Sequence, residues 1–243
     1  MIPPTYYRSL LFPAGQELYR QIVCGLLDRQ EQIALDHSLL PAQVQSVVQA
    51  VHLDHPELFF VDFWKYHLRT AFPSQRTLVF RLMLDPTTSA AVRRTMDARA
   101  AALADICRRC TTREQTYFRI AEEIAASTRY RNSGSAFWDH TAAGPTLRHS
   151  AVCEGVAKLF LFLCQRQALD CAVITGSVRG IPHAWNMVEV NGTRTYLDVT
   201  ALLQRIEFYR LWPRAIFLSL PQLQRQGYCP DFPQDSRGGP GGG

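Results

Sequence analysis

The sequence predicts an α+β fold, in which a mainly helical N-terminal region precedes one helix packed on an antiparallel sheet. Apolar residues recur at helical spacing through most of the first half of the chain. In the second half, three short strand-like segments follow a helix that begins near Cys153, and Asn191-Gly192 joins the last two. This dipeptide is the strongest short signal for a two-residue β-hairpin turn. The two patterns together indicate helices followed by a sheet in a chain of 243 residues.

Two helices are predicted before residue 60. The first spans Gln16–Leu35, where four apolar residues recur at helical spacing: Leu18, Ile22, Leu26 and Ile33. The second begins at Pro41, because proline is favoured at the first position of a helix. The aromatic-rich segment that follows, Phe59 to Trp64, is interpreted as part of the core or as the wall of a groove.

A strand and two further helices complete the N-terminal half. Thr77–Leu84 alternates in the manner of a strand with one buried face, and Asp85-Pro86 ends it. Ser89–Cys110 is rich in alanine and favours a helix. Thr111 and Glu114 then have the spacing of a capping box, which predicts that another helix begins there.

The chain after residue 128 divides into a loop, a helix and a sheet. Between Arg129 and Ser150 the helical pattern breaks into Asn, Ser, Gly, Pro and His residues, which predicts a long surface loop. From Cys153 the apolar period of a helix returns. The three strands are expected at Cys171–Val178, about Ile181–Val190 and Thr193–Thr200. Residues 236–243 are expected to form a disordered, glycine-rich tail.

Composition and charge argue against several classes of function. The net charge of +5 comes from 26 basic and 21 acidic residues without a dense basic run, so nothing indicates nucleic-acid binding. The longest apolar run, Leu159–Cys164, is too short to span a membrane. Seven cysteines without a recognisable signal peptide are typical of a reducing, cytoplasmic environment rather than of a disulfide framework. The sequence leaves the oligomeric state open.

Three residues offer the parts of thiol catalysis. A cysteine nucleophile needs a base within hydrogen-bond reach and a third group that orients the base. Cys153 stands where an irregular segment gives way to a helix, so the positive end of the helix dipole favours its thiolate. His183 and Asp198 are the candidates for the base and the orienting group, since both lie on the Asn191-Gly192 hairpin.

The hairpin register predicts that His183 and Asp198 lie together. A two-residue turn pairs Val190 with Thr193, and the pairing continued outward places Asp198 opposite Trp185. Because side chains alternate with a period of two, His183 and Asp198 are diagonal neighbours on one face. A carboxylate there can hold the imidazole in one tautomer and stabilise its charged form. If the helix of Cys153 packs on that face, the three residues form a catalytic triad.

Each of these residues also has an ordinary structural interpretation. A cysteine at a helix start is usually a small buried residue, and a histidine in a strand is usually a polar group with satisfied hydrogen bonds. The combination of a helix-start cysteine with a same-face His and Asp favours the triad over three unrelated core residues.

Other patterns do not predict a metal or a cofactor. Cys107-Arg108-Arg109-Cys110 has the spacing of half a zinc site or of a redox pair, but no second pair with this spacing occurs. Three histidines of the first half are interpreted as capping or surface residues: His52, His55 and His67. No glycine-rich nucleotide-binding motif is present.

Four segments together resemble the transglutaminase-like superfamily, in particular its bacterial cysteine protease and acyltransferase domains. They are Cys153-Glu154-Gly155-Val156-Ala157, Gly176, His183-Ala184-Trp185-Asn186 and Tyr196-Leu197-Asp198-Val199-Thr200. The resemblance covers about Tyr130 to Tyr228. It implies a papain-like core, with Cys153 as nucleophile, His183 as general base and acid, and Asp198 as the orienting group. Together with the helical periodicity of the first half and the glycine-rich end, it predicts a mainly helical region 1–128, a catalytic core 129–235 and the tail 236–243.

Two departures from the family pattern weaken any inference about the substrate. Val156 stands where many members have tyrosine, and Ala201-Leu202 stands where many have tryptophan and aspartate. The backbone N–H of Cys153 is implied as one donor of an oxyanion hole. The second donor is left open among four candidates: Trp138, His140, His149 and Ser150.

The resemblance implies acyl chemistry on a protein or peptide substrate without a cofactor. Cys153 would attack a peptide or glutamine amide, and the acyl-enzyme would pass to water or to an amine, with hydrolysis slightly preferred over crosslinking. The alternative is a non-catalytic protein-binding module that keeps the fold and recognises a partner through its helical N-terminal half and Phe59 to Trp64. The complete set of Cys, His and Asp argues against this alternative.

Overall fold

A computed structural model describes residues 2–35, 39–71, 75–131, 136–209 and 217–231, and it has an α+β architecture. The described helices are α1 Pro13–Leu27, α2 Pro41–Asp54, α3 Pro86–Cys107, α4 Arg113–Ser127, α5 Ala143–Arg148, α6 Cys153–Arg166, α7 Val199–Tyr209 and α8 Leu220–Arg225. The described strands are β1 Gln32–Leu35, β2 Val61–Ala71, β3 Gln75–Leu82, β4 Arg129–Tyr130, β5 Ser150–Ala151, β6 Cys171–Val178, β7 Ile181–Val190, β8 Thr193–Leu197 and β9 Tyr228–Pro230.

The strands form three sheets of different character. The N-terminal sheet is antiparallel with the order β1-β3-β2, and β4 pairs with β5 in a short parallel ladder. The C-terminal sheet is antiparallel with the order β8-β7-β6-β9. Helix α6 packs on this last sheet, against β6 and β7. The predicted arrangement of one helix on an antiparallel sheet is therefore confirmed.

A buried amide joins α6 to the sheet. Asn186 on β7 is fully buried, and its Nδ2 donates to the carbonyl oxygen of Ala157 in α6 over 3.0 Å. A buried polar group is costly unless it is hydrogen-bonded, so this bond favours one position of the helix over the strand. The bond fixes the position along β7 at which Cys153, the first residue of α6, lies.

The β7–β8 hairpin has the predicted register. Val190 pairs with Thr193, and Asn191 and Gly192 have φ angles of 52° and 75°, as a two-residue turn of mirror-image type requires. The ladder ends at the pair Asn186 and Leu197. The last strand is therefore shorter than predicted, because α7 begins at Val199.

The first predicted helix is too long. Helix α1 ends at Leu27, and a turn with Arg29 at φ 63° follows it. Ile33 is buried from strand β1, where burial alternates and Leu35 is the other buried residue. Ile33 fits both the helical period and the strand period, so the sequence pattern alone did not separate the two structures.

The predicted surface loop between Arg129 and Ser150 is also wrong. This segment contains β4, a 3-10 helix at Phe137–His140 and helix α5, and it ends in β5, although residues 132–135 lie outside the described part of the chain. Asp139, Ala142 and Ala143 are buried. The segment is short of apolar side chains but rich in small ones, which lets its backbone pack closely against α6.

The remaining predictions for single elements mostly hold. Helix α2 begins at Pro41 as predicted, and α4 is capped by Thr112 rather than Thr111, because the Thr112 hydroxyl accepts from the Gln115 N–H. In the aromatic segment, Phe59, Phe60 and Phe63 are buried, whereas Trp64 is 70% exposed. The expected tail 236–243 lies outside the described residues. None of the described helices is long and apolar enough to cross a membrane.

Buried side chains from both ends of the chain share one core. The cluster runs from Ile2 through α1 and α2 to α6, the C-terminal sheet and Tyr228. Tyr7 donates its hydroxyl to the Val173 carbonyl of β6, so the N-terminal segment reaches the C-terminal sheet. The boundary placed at residue 128 stays a prediction, and packing is continuous across it.

A buried ionic cluster also connects the N-terminal region to α6. Lys158 Nζ lies 2.8 Å from Glu154 Oε1, and both residues are on α6. The same carboxylate is bonded to His52 Nε2 of α2 at 2.6 Å and, through Oε2, to His140 Nδ1 at 2.8 Å. His52 is therefore not the capping or surface residue that the sequence predicted. Burial lowers the pKa of His52 and of Lys158, and Lys158 and both histidines hold the pKa of Glu154 well below its usual range against burial.

We predict that Lys158→Met lowers the free energy of unfolding by about 3 kcal/mol, because it leaves the buried Glu154 carboxylate without its cation. Urea unfolding at pH 8 measures the effect. The matched control is Lys65→Met, since Lys65 is the only other lysine and its side chain is 64% exposed. Equal stability of the two variants would show that the Lys158–Glu154 pair contributes nothing.

Candidate active site

Cys153 is the first residue of α6, as predicted. Val152 precedes it at the N-cap position, and the Val152 N–H donates to the carbonyl oxygen of Asp139 over 3.2 Å. The thiol is partly exposed, although most of α6 is buried. The free N–H groups and the positive dipole end of a 14-residue helix thus surround an accessible sulfur.

Gly155 allows the 3-10 helix Phe137–His140 to approach the first turn of α6. A Cβ atom at this position would lie 2.3 Å from the Asp139 carbonyl oxygen and 3.1 Å from that of Thr141. No other residue type fits without moving the backbone. The glycine of the Cys153-Glu154-Gly155 motif therefore fixes how the preceding segment packs beside the thiol.

His183 and Asp198 form a short hydrogen bond. Nε2 of His183 lies 2.7 Å from Oδ2 of Asp198, and the two side chains are 14% and 7% exposed. Asp198 Oδ1 accepts the N–H of Ala201 over 3.0 Å, so the carboxylate also caps the first turn of α7. Both carboxylate oxygens of Asp198 therefore accept a hydrogen bond.

The contact between these residues was predicted from the correct register, but the ladder is shorter than predicted. The β7–β8 ladder stops before Asp198, so Asp198 is not paired opposite Trp185. His183 pairs instead with Gly176 on the other neighbouring strand, β6. Asp198 reaches the imidazole from the short connection between β8 and α7, just beyond the end of the ladder.

Cys153 lies close enough to the His183 side chain to raise the pKa of the imidazole. Because Nε2 is bonded to Asp198, Nδ1 is the ring nitrogen left for the thiol. Burial of His183 opposes its charged form, but the hydrogen bond to Asp198 and the negative charges of Asp198 and Cys153 outweigh burial and raise the pKa of His183 to about 10. Burial, with the charges of Cys153 and Asp198, also raises the pKa of Tyr130. The structure thus brings Cys153, His183 and Asp198 together, with His183 hydrogen-bonded to Asp198 and adjacent to Cys153.

Tyr228 contacts the same carboxylate and was assigned no role by the sequence. Its hydroxyl donates to Asp198 Oδ2 over 2.7 Å. Its ring lies edge-on to Trp185, with centroids 5.2 Å apart, and Trp185 in turn stacks on His183 at 6.1 Å. Tyr228 is separated from Asp198 by α7 and α8, and no local pattern signals the pairing that brings it back.

Two of the four candidate oxyanion donors have other hydrogen-bond partners. His140 Nδ1 is bonded to Glu154 Oε2, and His149 is an exposed residue whose Nδ1 contacts the Ser127 carbonyl at 3.3 Å. Ser150 pairs with Arg129 in the short β4–β5 ladder, and the Trp138 carbonyl accepts from Thr141. The backbone N–H of Cys153 stays the implied first donor, and the second is not identified.

The described residues contain no group of three His, Cys, Asp or Glu side chains placed to hold a metal ion. All seven cysteines are free thiols. In the Cys107–Cys110 pair, burial and the neighbouring Cys110 raise the pKa of Cys107 to about 11.

Comparison with known proteins identifies the second part of the chain. Residues 100–200 match the family model described as the transglutaminase-like superfamily, a segment that contains Cys153, His183 and Asp198. No curated protein is similar enough to the chain to count as a relative.

Three solved structures are similar to the chain at low sequence identity. A TGase is 10% identical with a TM-score of 0.44, over 81% of this chain and 64% of that protein. A protein from Cytophaga hutchinsonii provisionally assigned as a cysteine protease is 13% identical with a TM-score of 0.39, over 77% and 70%. The periplasmic domain of TgpA from Pseudomonas aeruginosa is 17% identical with a TM-score of 0.33, over 56% and 58%. The chain thus spans less than two thirds of the length of the first of these proteins. The segment 100–200 thus matches the transglutaminase-like superfamily, the family that the sequence motifs resemble.

Proposed function

We propose that the chain is a thiol-dependent enzyme that transfers or hydrolyses acyl groups of peptide or glutamine amides. The observation that carries this proposal is the His183–Asp198 hydrogen bond, which lies beside Cys153 at the N terminus of α6. Cys153 is the nucleophile, His183 the general base and acid, and Asp198 the orienting group. The proposal uses only the chain's own residues.

The first half-reaction forms an acyl-enzyme. The Cys153 sulfur bonds to the amide carbonyl carbon, while the paired imidazolium of His183 retains the proton that came from the thiol. The tetrahedral oxyanion faces the free N–H groups at the start of α6. His183 then protonates the departing nitrogen as the C–N bond breaks, which leaves a thioester and an amine or ammonia.

The second half-reaction divides hydrolysis from transfer. His183 removes a proton from water or from an incoming amine, which attacks the thioester and releases the Cys153 sulfur. Water needs no dedicated acceptor site, whereas an amine must be bound and oriented. Hydrolysis is therefore the preferred outcome, with transfer to an amine second.

The compartment is part of the same proposal. Seven free thiols, one of them the proposed nucleophile, fit a reducing environment such as the cytoplasm. The substrate is proposed as a protein or a peptide.

We expect Cys153→Ala to lower turnover of a peptide or glutamine amide by a factor of about 10⁴ or more, because it removes the nucleophile. Amine or ammonia release, measured with a panel of peptides, tests this. Cys24→Ala is the matched control, since Cys24 is an exposed free cysteine on α1. Unchanged turnover in Cys153→Ala would refute the assignment of the nucleophile.

Asp198→Ala is expected to leave about 10- to 100-fold more activity than Cys153→Ala, because the imidazole survives but loses its orienting hydrogen bond. The fall should appear in kcat, since Asp198 is not proposed to touch the substrate. Single-turnover kinetics under substrate saturation measures it. A variant as fast as the parent would exclude Asp198 from the catalytic group.

Iodoacetamide labelling tests the thiol–imidazole pair before any substrate is known. We expect Cys153 to label faster than the other six cysteines below about pH 7, because protonated His183 stabilises its thiolate. The pKa of His183, about 10, keeps the imidazole protonated through neutral pH, so the advantage should persist across this range. Peptide mass spectrometry locates the label in the parent and in His183→Ala, which should lose the advantage. If Cys153 labels no faster than exposed Cys24 and Cys229, the protein-binding module becomes the better proposal.

A further inference from the structure

We infer that Tyr228 is a positioning residue of this site, which holds the Asp198 carboxylate in place and limits how strongly that carboxylate binds the His183 imidazolium. The inference rests on the proposed function, because it concerns the orienting member of the triad. It adds a fourth residue to the catalytic group, acting through Asp198 and not on the substrate.

The geometry at Asp198 Oδ2 supports this role. The Tyr228 hydroxyl and His183 Nε2 both lie 2.7 Å from this one oxygen, while the Ala201 N–H holds Oδ1. The three donors come from β9, β7 and α7. Rotation of the carboxylate would break bonds to all three elements, so its plane is fixed relative to the imidazole.

The backbone of β9 places the Tyr228 ring. Tyr228 pairs with Val178 on β6, the Arg179 N–H donates to the Gly227 carbonyl over 2.9 Å, and the Asp231 N–H donates to Thr175 over 3.0 Å. Only 7% of Tyr228 is exposed. The backbone that carries the Tyr228 side chain is thus held by strand pairing and not by a loop.

Gly176 makes this placement possible. It lies between His183 on β7 and Pro230 on β9, and a Cβ atom there would come within 2.2 Å of the Cys229 carbonyl oxygen and 2.8 Å of the Trp185 ring. Any larger residue would push β9 away from the sheet. The glycine of the family pattern therefore makes room for the strand that carries Tyr228.

Because Tyr228 and His183 share one oxygen of Asp198, Tyr228 affects the charge that the imidazole experiences. A hydrogen bond from a phenol stabilises the negative charge of a carboxylate, so less of that charge acts on the second donor. The ionisable groups that face His183 are Cys153 on α6, Asp198 before α7 and Tyr228 on β9, with Tyr130 of β4 close to Cys153 and Asp198. Among the three groups that face His183 directly, Tyr228 is the one whose hydroxyl can be removed without removing a charge.

The first test follows the His183 imidazole by NMR titration in Tyr228→Phe. We expect the pKa of His183 to rise by about 0.5, because Asp198 then gives its Oδ2 to the imidazole alone. Tyr66→Phe is the matched control, since Tyr66 is a partly buried tyrosine of the N-terminal sheet. It should leave the titration unchanged. An unchanged or lowered pKa in Tyr228→Phe would overturn the inference, and this readout needs no substrate.

The second test is a double-mutant cycle between Tyr228→Phe and Asp198→Ala. Tyr228→Phe should lower kcat by about 10-fold with KM unchanged, because a less well held and more basic imidazole is a poorer proton donor to the leaving group. In the Asp198→Ala background the same substitution should have no further effect, since the carboxylate through which Tyr228 acts has been removed. An equal loss in both backgrounds would show a merely structural role. If the parent itself turns over no amide, the proposed function fails while the titration still decides the role of Tyr228.

Discussion

The burial of α6 against the C-terminal sheet is the constraint on which the rest of the site depends. Every residue of this helix from Glu154 to Cys164 is buried, so the helix is covered on all sides rather than on one face. Each large apolar side chain removed from water contributes about 1.5–3 kcal/mol, and residues such as Leu159, Phe160 and Leu163 are fully buried. A helix covered on all sides cannot shift along its axis without disturbing several layers. Its first residue, Cys153, is therefore held where β7 presents His183.

Charge inside the core adds specificity to this packing. Glu154 and Lys158 lie one turn apart on α6, and the carboxylate is shared with His52 of α2 and with His140. A buried ion pair is weak evidence for stability, but its directional bonds reject alternative packings in which either charge lacks a partner. The N-terminal region, most of which lies before the segment that matches the superfamily, is thereby joined to the residue that directly follows the nucleophile.

The features that local rules determine were predictable from the sequence, and those that depend on distant pairing were not. The Asn191-Gly192 turn set the hairpin register, Pro41 marked a helix start, and the break in periodicity before Cys153 marked another. The contact of His183 with Asp198 was expected, although the strand ends one residue before Asp198.

Three features needed the folded chain. Ile33 satisfies both periodicities, and its pairing with β3 decided in favour of a strand. The small residues between Arg129 and Ser150 look like a loop until their close packing on α6 is seen. Tyr228 joins the site only because β9 returns to β6 across α7 and α8, a pairing that no local pattern encodes.

The edge position of β9 bears on the order in which the site assembles. Cys153, His183 and Asp198 all precede β9 in the chain. About 50 residues separate β6 from β9, the strand with which it pairs. Contacts between distant residues form late, because closing the loop between them costs conformational entropy before the hydrogen bonds of the strand pair offset that cost. During synthesis, the Cys153 thiol can therefore contact the His183 imidazole before Tyr228 fixes the orientation of the Asp198 carboxylate. The fully oriented group arises only when this last described strand completes the sheet, so a chain interrupted before β9 would carry the nucleophile without its finished support.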